Sequence, residues 1–234
     1  MNVLAFDTCL GAVSAAVRWR GAYGHWHLRD RYEARQGGHA ERLMPMVAEV
    51  MGEAGLAFAD LDRIAVTAGP GTLTGVRVGI AAARGLALAS GLPVVAAASL
   101  AVMAHRAGEM LEKARPELLA VAVDARRGMV YLEVFDRAHS VLAGPKLLAT
   151  ADVPALIGAR PALVVGSGAR AVASAIVEAG GRAEACLPDL EPHARSLTLL
   201  AEGLGTAHPV RPLYLRAPDA KPQADKSLTR VLSP

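Results

Sequence analysis

Two stretches of this chain repeat one pattern at a fixed offset, and the repeat narrows the fold more than any other feature. Val3-Leu4-Ala5-Phe6-Asp7 enters a short turn that ends at Gly11 and continues into a second apolar run, Ala12 to Val17. Val121-Ala122-Val123-Asp124 does the same, passing through Gly128 into Met129 to Val134. Asp7 and Asp124 stand 117 positions apart, as do Gly11 and Gly128. Two apolar runs joined by a short turn read as a β-hairpin. One hairpin opening each half of a 234-residue chain points to an internal duplication and two related lobes.

Between the hairpins, helical and strand patterns alternate, which predicts an α/β fold with mixed sheets. Over 39–54, Leu43, Met46, Val47, Val50 and Ala54 recur at helical spacing, with Glu41, Arg42, Glu49 and Glu53 on the polar side. A strand over 61–67, a Gly-rich loop over 69–75, a helix over 76–90 and a strand over 94–97 follow. In the second half, Leu163-Val164-Val165 leads into Gly166-Ser167-Gly168 and a helix over 169–179, and a late helix covers 197–204. The uncharged stretch Gly85 to Ala104 has the length of a membrane span, but Ser90, Gly91, Pro93 and Ser99 interrupt it as a helix end turning into a buried strand would.

Composition sets the class. With 53% hydrophobic, 20% charged and only 4% aromatic residues, the chain is globular with an aliphatic core, and disordered or collagen-like readings are excluded. The formal charge of +3 permits an anionic partner without demanding one. Cys9 and Cys186 are too few for a disulfide framework and belong to no zinc motif, so a reducing, cytoplasmic setting is expected. Asp7 interrupts the first apolar run too early for an export signal.

Several motifs carry chemistry or only structure. Asp7, where a strand meets a tight turn, suits a metal or phosphate contact, or simply caps the turn. Gly69-Pro70-Gly71-Thr72-Leu73-Thr74-Gly75 precedes a helix, so its backbone N–H groups suit an anion; equally, its glycines suit close packing. It is no Walker A loop, because Val76 and Arg77 stand where Lys and Ser/Thr are required. Gly166-Ser167-Gly168 fits a turn under a nucleotide or a plain strand-to-helix turn, and lacks the spacing of a nucleophile elbow. The seven histidines are scattered, and His25 and His27 alternate on a possible strand with no third ligand nearby. The tail from Arg211 carries five basic and two acidic residues, a composition for touching RNA phosphates or for a solvated terminus.

Taken together, Asp7-Thr8, the block Gly69 to Gly79, Asp124-Ala125-Arg126-Arg127-Gly128-Met129-Val130-Tyr131 and Tyr214-Leu215-Arg216 resemble the bacterial TsaB (YeaZ) family. The resemblance implies a two-lobed actin/Hsp70-like (ASKHA) fold of duplicated mixed sheets flanked by helices. Residues 1–102 would form the first lobe, 103–190 the second, 191–216 a segment returning onto both, and 217–234 a mobile tail. It further implies a non-catalytic scaffold that binds TsaD, with TsaE, for threonylcarbamoylation of adenosine 37 in ANN-decoding tRNAs. Such a scaffold forms a homodimer when alone, touches tRNA through the complex and has no membrane role. In TsaD-like proteins the strand after the Gly-Pro-Gly helix leads into a His-x-x-x-His metal motif. Here those positions fall on Ser99 and Met103, which cannot replace two imidazoles, so neither a metal nor a catalytic residue is expected. The implied partner contacts are Leu43, Met46, Val47 and Val50 on the first helix and Arg77 and Ile80 on the second. Asp7, Thr8, Gly69, Gly71 and Thr72 are the expected nucleotide or anion contacts. No cofactor is expected to bind tightly, with ATP or ADP possible at the junction with TsaD. The rival readings are an actin-fold ATP-binding enzyme using Asp7, Asp124 and Gly166 to Gly168, and a metallopeptidase of the glycoprotease type.

Overall fold

The computed structural model describes residues 1–111, 116–206 and 209–216. The first half runs β1 (Val3–Asp7), β2 (Ala12–Arg20), β3 (Trp26–Ala34), α1 (His39–Ala54), β4 (Arg63–Thr67), α2 (Leu73–Ser90), β5 (Val94–Ala97) and α3 (Ser99–Met110). The second half runs β6 (Leu118–Asp124), β7 (Met129–Asp136), β8 (Val141–Ala149), α4 (Val153–Ile157), β9 (Ala162–Val165), α5 (Ala169–Glu178), β10 (Ala183–Cys186) and α6 (Ala194–Leu200). One sheet has the order β3-β2-β1-β4-β5 and the other β8-β7-β6-β9-β10, the same topology twice. The hairpin repeat is therefore a true duplication, with β1 and β6 as the equivalent central strands. The two turns differ by one residue: Asp7 pairs with Ser14, whereas Asp124 pairs with Val130.

Each sheet has the mixed pattern of the actin/Hsp70-like fold, three antiparallel strands followed by two parallel ones that need helical crossovers. Helices α1 and α2 cover one face of the first sheet, where Leu4, Phe6, Val13, Leu43, Met46, Val50, Ile64 and Val76 form a shared core. On the opposite face, Val3, Ala5, Ala65 and Val95 meet Val102 of α3 and Ala194, Leu197 and Ala201 of the α6 region. Leu100, Met103, Ala104 and Ala107 of α3 pack on Leu119, Val121 and Phe135 of the second sheet. The last helix of each half thus lies between the sheets and seals the other half's strands.

Three expectations shift. Helix α2 begins at Leu73 rather than Val76, because Thr72 caps it and its Oγ1 accepts the Gly75 N–H at 3.1 Å. The boundary expected at 102 falls inside α3, which belongs to both lobes. The late helix starts at Ala194 and ends at Leu200, followed by a 3-10 turn at Ala201–Gly203. The uncharged stretch 85–104 is the end of α2, β5 and the start of α3, and Gly91 terminates α2 in the left-handed conformation. Helix α2 is long and apolar enough to cross a membrane by length and composition, yet here it lies along the first sheet. The expected tail 217–234 lies outside the described residues.

Leu43, Met46, Val47 and Val50 are each at most 1% exposed. Met46→Ala should therefore cost about 2–5 kcal/mol in urea unfolding, and Val47→Asp, which buries an unpaired charge, should abolish the cooperative transition. A Val47→Asp chain as stable as the parent would mean that α1 does not dock on this sheet.

Candidate functional site: the Gly-Pro-Gly loop, the interlobe cleft and the outer helical face

The loop before α2 is folded onto the β1–β2 turn. Thr72 N–H donates to the Cys9 carbonyl at 2.8 Å, Ser99 N–H to the Gly69 carbonyl at 2.8 Å, and Thr8 Oγ1 to the Gly75 carbonyl at 2.6 Å. A Cβ at Gly71 would lie 2.3 Å from the Cys9 carbonyl oxygen, and one at Gly75 would lie 2.1 Å from that of Thr8. These glycines let two backbones touch, a packing role that leaves the loop little freedom to wrap an anion.

Asp7 is fully buried beneath this contact. Its Oδ1 accepts hydrogen bonds from Thr67 Oγ1 and from Cys9 N–H, while Oδ2 is buried without a partner. Burial outweighs those bonds and raises the carboxyl pKa to about 6. Its neighbour Cys9 sits 3.1 Å from Thr67 Oγ1, and burial followed by the Asp7 charge pushes its thiol well above the ordinary range. Asp7 and Thr8 therefore brace the turn.

Of the five expected anion contacts, only Thr72 lines the cleft between the lobes, a space of about 760 Å³. Asp7, Thr8 and Gly69 are buried and Gly71 is half-buried under the loop. The cleft is bordered by the N-terminus of α1, by Thr74 and Gly75 of α2, and by Asp124, Arg126 and Ser167 of the second lobe. Asp124 N–H donates to Ser167 Oγ at 3.0 Å, and its Oδ1 accepts from Arg126 N–H at 2.7 Å, so this carboxylate also holds a turn. Glu191 Oε2 accepts from Gly11 N–H at 3.1 Å, and burial lifts its pKa to about 7. Glu41, Asp124 and Glu191 face a single arginine in the lining, and Asp7 is sealed off from it. Glu41 and Asp124 are carboxylates within reach of a magnesium ion, but Arg126 is the one Lys or Arg among the described lining residues to set against the charge of a triphosphate.

Ser99 and Met103 are both fully buried on α3. Ser99 Oγ donates to the Pro70 carbonyl at 2.5 Å, and the Met103 methyl packs against Gly166. His105, one turn beyond Ala101, is half-buried, and burial lowers its pKa. Among the described residues, no three His, Cys, Asp or Glu side chains are grouped to hold a metal ion.

The expected partner residues divide sharply. Leu43, Met46, Val47, Val50 and Ile80 are at most 3% exposed and belong to the chain's own core, so as partner contacts they are corrected. Only Arg77 is exposed, and its Nε donates to the Tyr214 hydroxyl at 2.9 Å. Residues 209–216 run beside α2, fixed by Leu213 N–H to the Ala68 carbonyl at 2.7 Å and by Arg84 on the Val210 carbonyl. The surface that α1 and α2 turn outward includes Met44, Pro45, Ala48 and Gly52 on α1 with Ala81, Gly85 and Leu88 on α2, together with the exposed charges Glu41, Glu49, Glu53, Arg77 and Arg84. Met44 is 42% and Leu88 90% exposed, beside the small residues Ala48, Gly52, Ala81 and Gly85. The spacing 44, 48, 52 and 81, 85, 88 was the available signal for it.

A solved structure, YeaZ from Pseudomonas aeruginosa, superposes with a TM-score of 0.78 at 32% identity, covering 92% of this chain and 99% of that one. The chain belongs to the TsaB (YeaZ) family. An uncharacterized protein of Mycobacterium tuberculosis is 37% identical over 225 residues, 95% of each chain. The Haemophilus influenzae tRNA threonylcarbamoyladenosine biosynthesis protein TsaB is 37% identical over 131 residues, 56% of this chain and 52% of that protein. The family model of TsaD, tRNA N6-adenosine threonylcarbamoyltransferase, matches residues 33–163, the stretch that holds the outer helices and the Gly-Pro-Gly loop.

Asp7 gives a pH signature. Its folded pKa of about 6 lies above the ordinary 3.8, so between those values the folded chain keeps a proton that the unfolded chain releases. Its contribution to stability is greatest below that window and declines as pH rises through it. Asp7→Asn cannot ionise, so its stability relative to the parent should improve by about 2 kcal/mol between pH 4 and pH 7. Urea melts at both pH values check this, and a pH-independent difference would show that Asp7 does not titrate in the fold.

Proposed function

We propose that this chain is the accessory, non-catalytic subunit of tRNA threonylcarbamoyladenosine formation. It would hold TsaD, the transferase, through the outward face of α1 and α2, with TsaE joining the pair. Alone, it would cover the same face with a second copy. The tRNA would be reached through the complex, in the cytoplasm where tRNA is modified. The relatives' names supply the process. The observation that carries the accessory role is α3, where Ser99 and Met103 occupy the two positions of the expected His-x-x-x-His and both are fully buried in packing contacts. A hydroxyl bound to a carbonyl and a buried thioether offer no site for a divalent metal.

The outer face supports the scaffold role. A row of Ala and Gly lets a partner helix approach closely, and Met44 and Leu88 supply apolar anchors beside it. Flexible methionine suits a face that accepts either TsaD or a second copy. Any ATP or ADP at the junction would be held chiefly by TsaD, because the cleft lining here is acidic and its glycine loop is closed.

The decisive experiment reconstitutes the modification from TsaD, TsaE, a threonylcarbamoyl-adenylate synthase, ATP, threonine, bicarbonate and tRNA, with and without this chain, and counts the modified nucleoside by mass spectrometry. Product should depend on the chain; equal product without it would overturn the reading. Ala48→Glu and Leu88→Glu change exposed positions, so both variants should melt within about 0.5 kcal/mol of the parent. Each should nevertheless weaken the complex with TsaD at least about tenfold in calorimetry, by placing a charge in an apolar interface.

A further inference from the structure

The chain is poor in aromatic residues, with two Trp, four Tyr and three Phe. Both tryptophans and one tyrosine nevertheless fall in the twelve residues Arg18 to Arg29, the tip of the β2–β3 hairpin. The same segment holds Arg18, Arg20, Arg29, His25 and His27 and no acidic residue. Trp19 is half-buried against the first core, whereas Trp26 is 42% exposed and Tyr23 is 94% exposed.

The tip is held in place by local contacts. Gly21 N–H donates to the His25 carbonyl and Gly24 N–H to the Gly21 carbonyl, both at 2.9 Å, closing a four-residue loop. Gly24 adopts the left-handed conformation at φ 79°. Arg20 Nε donates to the Gly24 carbonyl at 2.9 Å, which pins that side chain across the loop. The Arg18 guanidinium lies 3.6 Å from the Trp26 ring centre and is itself bound to Glu202 at 2.6 Å, and the Arg20 guanidinium lies 5.7 Å from the same ring centre, so Trp26 rests on a fixed cation while 42% of it stays exposed. On the opposite side of the strands, His27 stacks on Trp19 with ring centres 5.2 Å apart. Arg20 and Arg29 make no ion pair among the described residues, whereas Asp30, the acid next in sequence, is engaged by His193 and Arg195. The tip lies at the Met1 end of the first sheet, away from the cleft, because β2 runs antiparallel from Gly11 to Arg20.

From this arrangement we infer that the β2–β3 tip is an RNA-contact platform, on which unpaired bases stack on Trp26 and Tyr23 while Arg20, on the Trp26 side of the strands, neutralises an adjacent phosphate. Exposed aromatic faces beside an arginine without an ion pair among the described residues match the chemistry of single-stranded nucleic acid, whose bases offer π-faces and whose backbone offers regularly spaced charge. RNA rather than DNA rests on the function proposed above, and the expected target is an unpaired tRNA loop.

The test is fluorescence anisotropy of the full chain against a fluorescein-labelled, unmodified transcript of an ANN-decoding tRNA, with a fully paired RNA duplex of equal length beside it. Tryptophan emission is read in a parallel titration. The tRNA should bind more tightly than the duplex and quench Trp26. Trp26→Leu should lose that quench and bind about fivefold to a hundredfold more weakly. Tyr23→Ala, at a position too exposed to affect folding, should weaken binding in the same direction. Arg20→Ala should make the slope of log K against log salt shallower by about 0.7. Affinity unchanged in Tyr23→Ala and Trp26→Leu, equal affinity for the duplex, or binding without quenching would each overturn the platform, the last two indicating charge attraction alone. A tip that instead captures TsaD, seen as loss of that complex in Tyr23→Ala, would overturn it in favour of a protein contact. The two readings fail separately: product formation that survives every tip variant alongside unchanged RNA affinity removes the platform alone. RNA binding through the tip with no effect of the chain on product removes the accessory role alone.

Discussion

The structure depends on an exchange of helices between its halves. Each half is a five-stranded sheet with two helices on its outer face, and neither half fully covers its own inner face. Helix α3 leaves the first sheet and places Leu100, Met103, Ala104 and Ala107 on the second, while α6 returns from the second and buries Ala194 and Leu197 on the first. Two α/β halves of this size have too little interior to be stable apart with those faces wet. Polar contacts fix the exchange in register: Ala194 N–H donates to Ser14 Oγ at 2.9 Å, and Ser196 Oγ donates to Glu109 at 2.8 Å between the two exchanged helices. His193, which caps α6, stacks on Tyr32 of the first sheet, and burial there lowers its pKa to about 4. A neutral His193 is therefore part of the packed arrangement near pH 7.

That exchange explains why the motif-bearing segments are structural in this chain. In a duplicated fold with a central cleft, the loops after β1, β4, β6 and β9 all converge between the lobes. Here they converge on one another. Thr8 and Cys9 take up the backbone of the Gly69 to Gly75 loop, Ser99 at the start of α3 binds Gly69 and Pro70 from behind, and Leu213 closes over Ala68. A helix N-terminus attracts an anion when its N–H groups are unmet. At α2 the Thr72 N–H goes to Cys9 and the Gly75 N–H to the Thr72 hydroxyl, which removes part of that attraction. Asp7, the best acid for metal or phosphate chemistry by position, is taken out of water instead.

What could be read from the residues follows the same physics. The duplication, the lobed α/β class, the bounds of α1 at 39–54 and of β5 at 94–97 were legible, because each rests on local pattern: a repeated turn, an amphipathic period, a Pro-bounded apolar run. Helix α3 was not, because its apolar residues are divided between two sheets and show no single stripe to a reader of one face. The proposed partner face differs from the expected one for the converse reason. Leu43, Met46, Val47 and Val50 form the strongest stripe of α1, and the strongest stripe goes to the home sheet, where burial is permanent. A face that must also be tolerated in water is built from the weaker series, Ala48, Gly52, Ala81 and Gly85, punctuated by Met44 and Leu88.

The same division separates the two outward surfaces by chemistry. The α1–α2 face sets a row of small and apolar residues among the charges of Glu41, Glu49, Glu53, Arg77 and Arg84, an arrangement that suits another helix pair. The β2–β3 tip is the reverse: open aromatic rings over arginines, on a strand edge whose residues from Trp26 to Arg29 are largely exposed. An edge strand left in water is normally protected from pairing with another chain by charge, and Arg29 and Arg31 serve that purpose here. Charge alone accounts for the arginines but not for Trp26 and Tyr23, whose exposure is unfavourable unless something covers them. Because α1 packs on β2 and β3 from the far side of the same strands, a helical partner on α1 leaves the Trp26 face of the tip uncovered. Under the two proposals together, one small scaffold holds a protein on its helices and still presents its hairpin to a nucleic acid.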